Sequence, residues 1–124
     1  MKMAVTMGDA AGVGPEIALR AFAEGDWPAS AVLVGDLSVL QRCNEELSAG
    51  VRLYAVDAPA EPAGDGLPVQ DLGLLAAEDV HVGEVCAATG AAALRYVDWA
   101  TQATRRGEFD ALVTLPINKE ATRL

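Results

Sequence analysis

The chain has 124 residues, enough for one domain or part of a larger one, and 52% of them are hydrophobic, which supports a packed core and excludes an intrinsically disordered polypeptide. Eighteen acidic against nine basic residues give a net charge of −9, and without a local basic cluster this excludes nucleic acid and anionic membrane surfaces as partners. No apolar run approaches the ~20 residues of a membrane-spanning helix, and Gly8-Asp9 interrupts the N-terminal apolar stretch too early for a signal peptide.

Residues 4–7 are a short apolar run that predicts a strand, and a glycine-rich turn follows: Met7-Gly8-Asp9-Ala10-Ala11-Gly12-Val13-Gly14-Pro15-Glu16. A helical pattern then covers 15–24. Strand, turn and helix N-terminus in that order form a loop able to cradle an anion. Gly12 and Gly14 let backbone approach a ligand without an intervening Cβ, Pro15 is suited to the first helical turn, and Asp9 is placed to orient the loop or a ligand hydroxyl. The spacing fits neither the dinucleotide fingerprint nor the P-loop, so a tight turn that binds nothing stays open at this point.

Apolar runs at 31–34 and 51–56 predict two more strands, with a helix over 37–47 between them and Asp36 placed to cap it. The stretch 57–71, rich in proline and glycine, reads as a surface loop. His81 is the only histidine, and a metal site needs several protein ligands; no convincing one is present. Cys43 and Cys86 lack C-x-x-C spacing and read as small buried residues in a reducing cytoplasm. The longest helix is expected over about 84–106, its inner stripe made by Val85, Thr89, Ala92, Tyr96, Trp99 and Ala103. Gly90 costs ~1 kcal/mol against alanine in that helix, which a tight contact offsets. Gly107 supplies the C-terminal cap.

A final strand at 111–114 runs into Leu115-Pro116-Ile117-Asn118-Lys119-Glu120. The apolar strands are continuous rather than alternating, as parallel strands covered on both faces are. Fold class is therefore α/β: three layers, a mostly parallel sheet flanked by helices. Ligands in such sheets lie beyond the carboxyl ends of the strands. Thr114, Asn118 and Lys119 bring a hydroxyl, an amide and an ammonium to that rim, where they can hold a phosphate or polarise a carbonyl.

Taken together, residues 8–16 and 111–120 resemble the 4-hydroxythreonine-4-phosphate dehydrogenase family. The helix that begins Gly90-Ala91-Ala92-Ala93-Leu94 and the following Phe109-Asp110-Ala111 are similar to the family's run into its second motif. The first motif also echoes the isocitrate and isopropylmalate dehydrogenases. The resemblance implies an incomplete fold of that type, with residues 1–124 as the N-terminal part of the dehydrogenase α/β domain and the C-terminal half absent. It implies NAD-dependent oxidation and decarboxylation of 4-phosphohydroxy-L-threonine in pyridoxal 5′-phosphate biosynthesis. Alternatives left open are the related 4-phospho-D-threonate or D-erythronate dehydrogenase and a non-catalytic module that binds a phosphorylated ligand. Within such a site the residues themselves point to Asp9, Gly12 and Gly14 for the cofactor, Thr114 and Asn118 for the substrate, and Lys119 for catalysis. A divalent metal (Zn, Mg or Co) and a cytoplasmic homodimer belong to the complete enzyme. The family's Gly-His-Thr segment and metal-binding histidines have no counterpart here, and the 124-residue chain alone is expected to be inactive. Ala10 and Leu115 stand where the family usually has proline and a small residue.

Overall fold

The structure is a computed structural model, and it describes residues 1–57 and 65–124. Five strands, β1 (Met3–Thr6), β2 (Ala31–Gly35), β3 (Leu53–Ala55), β4 (Leu67–Asp71) and β5 (Ala111–Thr114), form one sheet in the order β3-β4-β2-β1-β5. Every pairing is parallel. Three α-helices, α1 (Gly14–Ala23), α2 (Leu37–Leu47) and α3 (Ala87–Arg105), supply the crossovers. The steps β1-α1-β2 and β2-α2-β3 run outward in one direction, whereas β4-α3-β5 runs back across β2 and β1. Right-handed crossovers therefore put α1 and α2, which pack together, on one face and α3 on the other. This is the expected three-layer α/β arrangement.

The central strands carry the core. All five residues of β2 are buried, and Ala4, Leu19, Leu33, Val34, Leu40, Leu67, Val69 and Tyr96 are sealed from solvent. On α3 the inward residues are Thr89, Gly90, Ala92, Ala93, Tyr96, Ala100 and Ala103. This is the expected stripe apart from Val85, which precedes the helix and is exposed, and Trp99, which is half-buried and meets Phe109 edge to face. A Cβ on Gly90 would overlap the backbone of Ala121, so the glycine admits the closing 3-10 turn Ala121–Arg123 against the helix. At the far end of α3, Gly107 (φ +84°) donates to the Thr104 carbonyl and Glu108 to that of Ala103, a glycine-terminated cap of Schellman type.

Two expectations need correction. Part of the stretch expected to be a surface loop, 57–71, is the interior strand β4; residues 58–64 lie outside the described residues. Proline disfavours such an assignment, but here the ladder geometry removes the penalty. Leu67 and Val69 exchange hydrogen bonds with β3, so the side of Pro68 that lacks an N–H faces β2, where pairing starts only at Val69. The second correction concerns Asp36. It occupies the N-cap position of α2, yet its side chain makes no cap bond. One oxygen accepts the N–H groups of Leu74 and Leu75 (2.7 and 3.0 Å), and the other accepts the hydroxyl of Tyr96. The Leu37 N–H turns instead to Asp71.

Candidate functional site

Because all five strands are parallel, their carboxyl ends share one rim, and the turn after β1 lies beside the segment after β5. The turn is held together by Asp9, which is 2% exposed. Its Oδ1 accepts the Ala11 N–H at 2.8 Å, its carbonyl accepts the Gly12 N–H at 3.0 Å, and its own N–H donates to the Pro116 carbonyl at 3.1 Å. That last bond joins the two sequence motifs directly. Gly8 (φ +76°) makes it possible, since a Cβ there would overlap the Pro116 oxygen.

Between the two segments lies an open cleft of about 400 Å³ lined by Asp9, Gly12, Val13, Pro116, Ile117, Asn118 and Lys119. Four of the six residues expected at a site are therefore brought together: Asp9, Gly12, Asn118 and Lys119. The other two stand elsewhere. Gly14 is buried where a Cβ would overlap the Met7 carbonyl oxygen, so its close approach is to the chain's own backbone just after β1 rather than to the cleft. Thr114 ends β5 on the same rim, exposed and in register with Thr6, but does not line the cleft.

Asn118 has one end committed. Its Oδ1 accepts the N–H groups of Glu120 and Ala121, which starts the closing turn and leaves the Nδ2 amide as a donor. The Lys119 side chain is exposed and makes no ion pair among the described residues. At the start of α1 the N–H groups of Val13, Gly14 and Glu16 find no acceptor among the described residues, as the first turn of a helix leaves them. Two buried polar atoms also lack a partner there: Asp9 Oδ2 and Thr6 Oγ1.

A smaller, mostly apolar cavity of about 150 Å³ lies behind the turn, between α1 and α2. Cys43 is on its wall, and burial, with the charges of Glu16 and Glu46 behind it, pushes that thiol above its ordinary range. Arg42 also lines it, but its guanidinium is spent on the carbonyls of Ala77 and Val80. The buried Tyr96 hydroxyl is likewise raised well above an ordinary tyrosine, by burial first and then by its hydrogen bond to Asp36 and the charges of Asp36, Asp71 and Asp9. The apolar cleft walls Val13 and Ile117 and the Asp36–Tyr96 pair were not legible as site features. Their positions depend on contacts across the sheet, for which sequence spacing carries no signal.

His81 is exposed. Among the described residues no group of three or more His, Cys, Asp or Glu could hold a metal ion, so the residues present do not fit the divalent metal that the resemblance implies. For a dinucleotide the fit is better: the lining residue Asp9 has a carboxyl oxygen without a partner, suited to a ribose hydroxyl, and the lining residue Val13 has a free N–H, suited to a phosphate. None of the helices among the described residues is long and apolar enough to cross a membrane.

Fold and rim define an α/β protein with a cleft at the carboxyl ends of a parallel sheet, the place where such sheets bind their ligands. The family model described as pyridoxal phosphate biosynthetic protein PdxA matches residues 28–124, and the chain belongs to that family. It is 39% identical to a D-threonate 4-phosphate dehydrogenase of Salmonella typhimurium over 98% of this chain and 38% of that one. It is 34% identical to a 4-hydroxythreonine-4-phosphate dehydrogenase of Trichlorobacter lovleyi over 97% and 37% of the respective chains. The crystal structure of 4-hydroxythreonine-4-phosphate dehydrogenase from Klebsiella pneumoniae superposes with a TM-score of 0.91 at 36% identity, covering 98% of this chain and 38% of that one. The chain thus spans little more than a third of the length of the curated relatives it matches.

Proposed function

We propose that residues 1–124 are the N-terminal part of an NAD-dependent dehydrogenase that oxidises and decarboxylates 4-phosphohydroxy-L-threonine on the way to pyridoxal 5′-phosphate. The observation that carries this reading is the joining of the two motifs, Asp9 N–H to Pro116 carbonyl, at one cleft in a member of this family. Asp9 and Gly12 would hold NAD, which supplies the hydride acceptor when bound. Asn118 Nδ2 and the Lys119 ammonium would hold the phosphorylated substrate, with Thr114 at the edge of the same rim. Lys119 steadies the negative charge that develops on the reacting oxygen as its proton leaves. Gly14 serves the site indirectly, by letting α1 start close against β1.

No step is assigned to a metal on this chain, because its described residues do not form a metal-binding group. The same reading makes the complete enzyme a cytoplasmic homodimer and the 124-residue polypeptide a ligand-binding part without turnover of its own. Purified polypeptide, given NAD, a divalent metal and 4-phosphohydroxy-L-threonine, is expected to form no NADH, while amide signals around the cleft shift saturably with ligand. NADH formation by the polypeptide alone would contradict the assignment as an inactive part, and absence of any saturable shift would remove the cleft as a binding site. A second substrate is favoured by the names of two relatives, D-threonate 4-phosphate dehydrogenases at 35% and 39% identity. Titration with 4-phospho-D-threonate beside 4-phosphohydroxy-L-threonine ranks the two.

A further inference from the structure

Asp9 is bonded to the chain at only one of its carboxyl oxygens. Oδ1 takes the Ala11 N–H and so shapes the turn; Oδ2 is buried and accepts nothing. A buried acceptor without a partner is costly, and a charged one more so. The turn itself does not need Oδ2, since an amide oxygen alone would hold Ala11. The residue lines a cleft whose far side carries Lys119 and the Asn118 amide, and free N–H groups stand at the start of the ten-residue helix α1. Asp9 thus brings a buried, unpaired acceptor to the cleft lining, and Val13, Asn118 and Lys119 bring donors to it. A ligand complementary to it carries a hydrogen-bond donor at one end and an anionic group at the other.

We infer that Asp9 determines specificity in this cleft by accepting, at Oδ2, an alcohol hydroxyl of a phosphorylated ligand, while Oδ1 keeps the turn in place. The inference rests on the reading of the cleft as a ligand site, and deepens it. An alcohol on the phosphorylated acid and a ribose hydroxyl of NAD supply the same donor. A phosphorylated compound without a hydroxyl in that position leaves Oδ2 buried and unpaired, and is rejected for that reason.

Asp9→Asn tests this cleanly. The asparagine retains an oxygen for the Ala11 N–H and replaces the orphan acceptor with an NH2 donor, so the turn persists and the acceptor is lost. The 124-residue chain and the variant are titrated separately with 4-phospho-D-threonate and with NAD, reading backbone amides by NMR. In the wild type, the ligand whose hydroxyl reaches Oδ2 shifts the Ala11 amide, which reports on the other oxygen of the same carboxyl group. The variant is expected to bind that ligand at least about tenfold more weakly. Unchanged affinity in a folded variant overturns the inference and leaves the cleft standing as a ligand site. If the variant does not fold, the wild-type Ala11 amide decides: shifts at 117–119 without a shift at Ala11 overturn the inference equally. No saturable shift with either ligand overturns both the inference and the reading beneath it.

Discussion

The two shoulders of the cleft are built in opposite ways. The opening turn is an extension of the core: Met7, Asp9, Ala10 and Ala11 are all buried, and Met7 lies across Gly35 of the neighbouring strand. The closing segment follows the edge strand β5, where Val113 is 43% exposed, and Ile117 beyond it is 38% exposed. It is seated on the end of β1 through the Leu115 N–H to the Thr6 carbonyl, on Gly8 through the Asp9–Pro116 bond, and on Gly90 through Ala121. One shoulder therefore stands or falls with the whole fold, and the other is attached to it. Both are polar at the cleft, but only the first has its polar groups desolvated before any ligand arrives.

The sharpest way to break this contrast is Gly14→Ala. A methyl there would overlap the carbonyl of Met7, the buried residue that directly follows β1 and whose N–H is bonded to the Val34 carbonyl of β2, so it cannot move without disturbing the sheet. A loss of about 3 kcal/mol or more of global stability is expected from such overpacking of backbone. Urea denaturation checks it; a loss below about 1 kcal/mol would mean that α1 does not start hard against β1.

Behind the opening shoulder, the Asp36–Tyr96 pair gives a pH dependence whose sign can be worked out. The fold holds the Tyr96 hydroxyl neutral by raising its pKa, whereas an unfolded tyrosine ionises near pH ~10. Above that pH the unfolded chain has lost a proton that the native chain still holds, so stability falls as pH rises, by about 1.4 kcal/mol per unit. Below it this group contributes no slope. Tyr96→Phe removes this group's part of the alkaline slope, and at neutral pH it costs about 1–3 kcal/mol, because Asp36 is left with an unpaired buried oxygen. Urea midpoints collected from about pH 8 to about pH 11 read both effects.

Gly90→Ala acts on the attached shoulder alone. Alanine improves α3 by ~1 kcal/mol, but its methyl would overlap the Ala121 backbone and lift the closing turn. Global stability should change by less than about 1 kcal/mol while amides of residues 118–124 lose protection from hydrogen exchange. Equal loss of protection in the opening turn would show that the two shoulders are one cooperative unit.

This asymmetry explains which features were legible in the sequence. The 37–47 helix, the buried stripe of α3 and the parallel strands follow from local periodicity and continuous apolar runs. Once all strands are parallel, the shared rim of the two motifs follows as well. What was not legible depends on partners distant in the chain. Pro68 obscures β4 because its harmlessness depends on which neighbour it faces. Asp36 has the position and residue type of a helix cap, yet Leu74, Leu75 and Tyr96 claim its oxygens. Gly12 and Gly14 are equivalent on spacing, and only Met7 distinguishes the one that faces the cleft from the one that faces the strand. The double role of Asn118, capping with its oxygen and leaving its amide to the cleft, likewise depends on where the turn at Glu120 and Ala121 returns.

Lys119→Met should have the smallest effect on the fold and so sharpens the contrast most. The side chain is exposed on the attached shoulder and makes no ion pair among the described residues, so stability should stay within about 0.5 kcal/mol of the wild type. Methionine preserves most of the aliphatic stem while removing the charge. Affinity for a phosphorylated ligand should fall about tenfold, as expected for loss of a hydrogen bond to a charged group. The deficit should narrow as salt is raised, because the ammonium acts from the solvent-exposed side of the cleft, where screening is effective. A deficit independent of salt would mean that the ammonium is drawn into the cleft when ligand binds. The attached shoulder would then close over the ligand and become as desolvated as the opening turn.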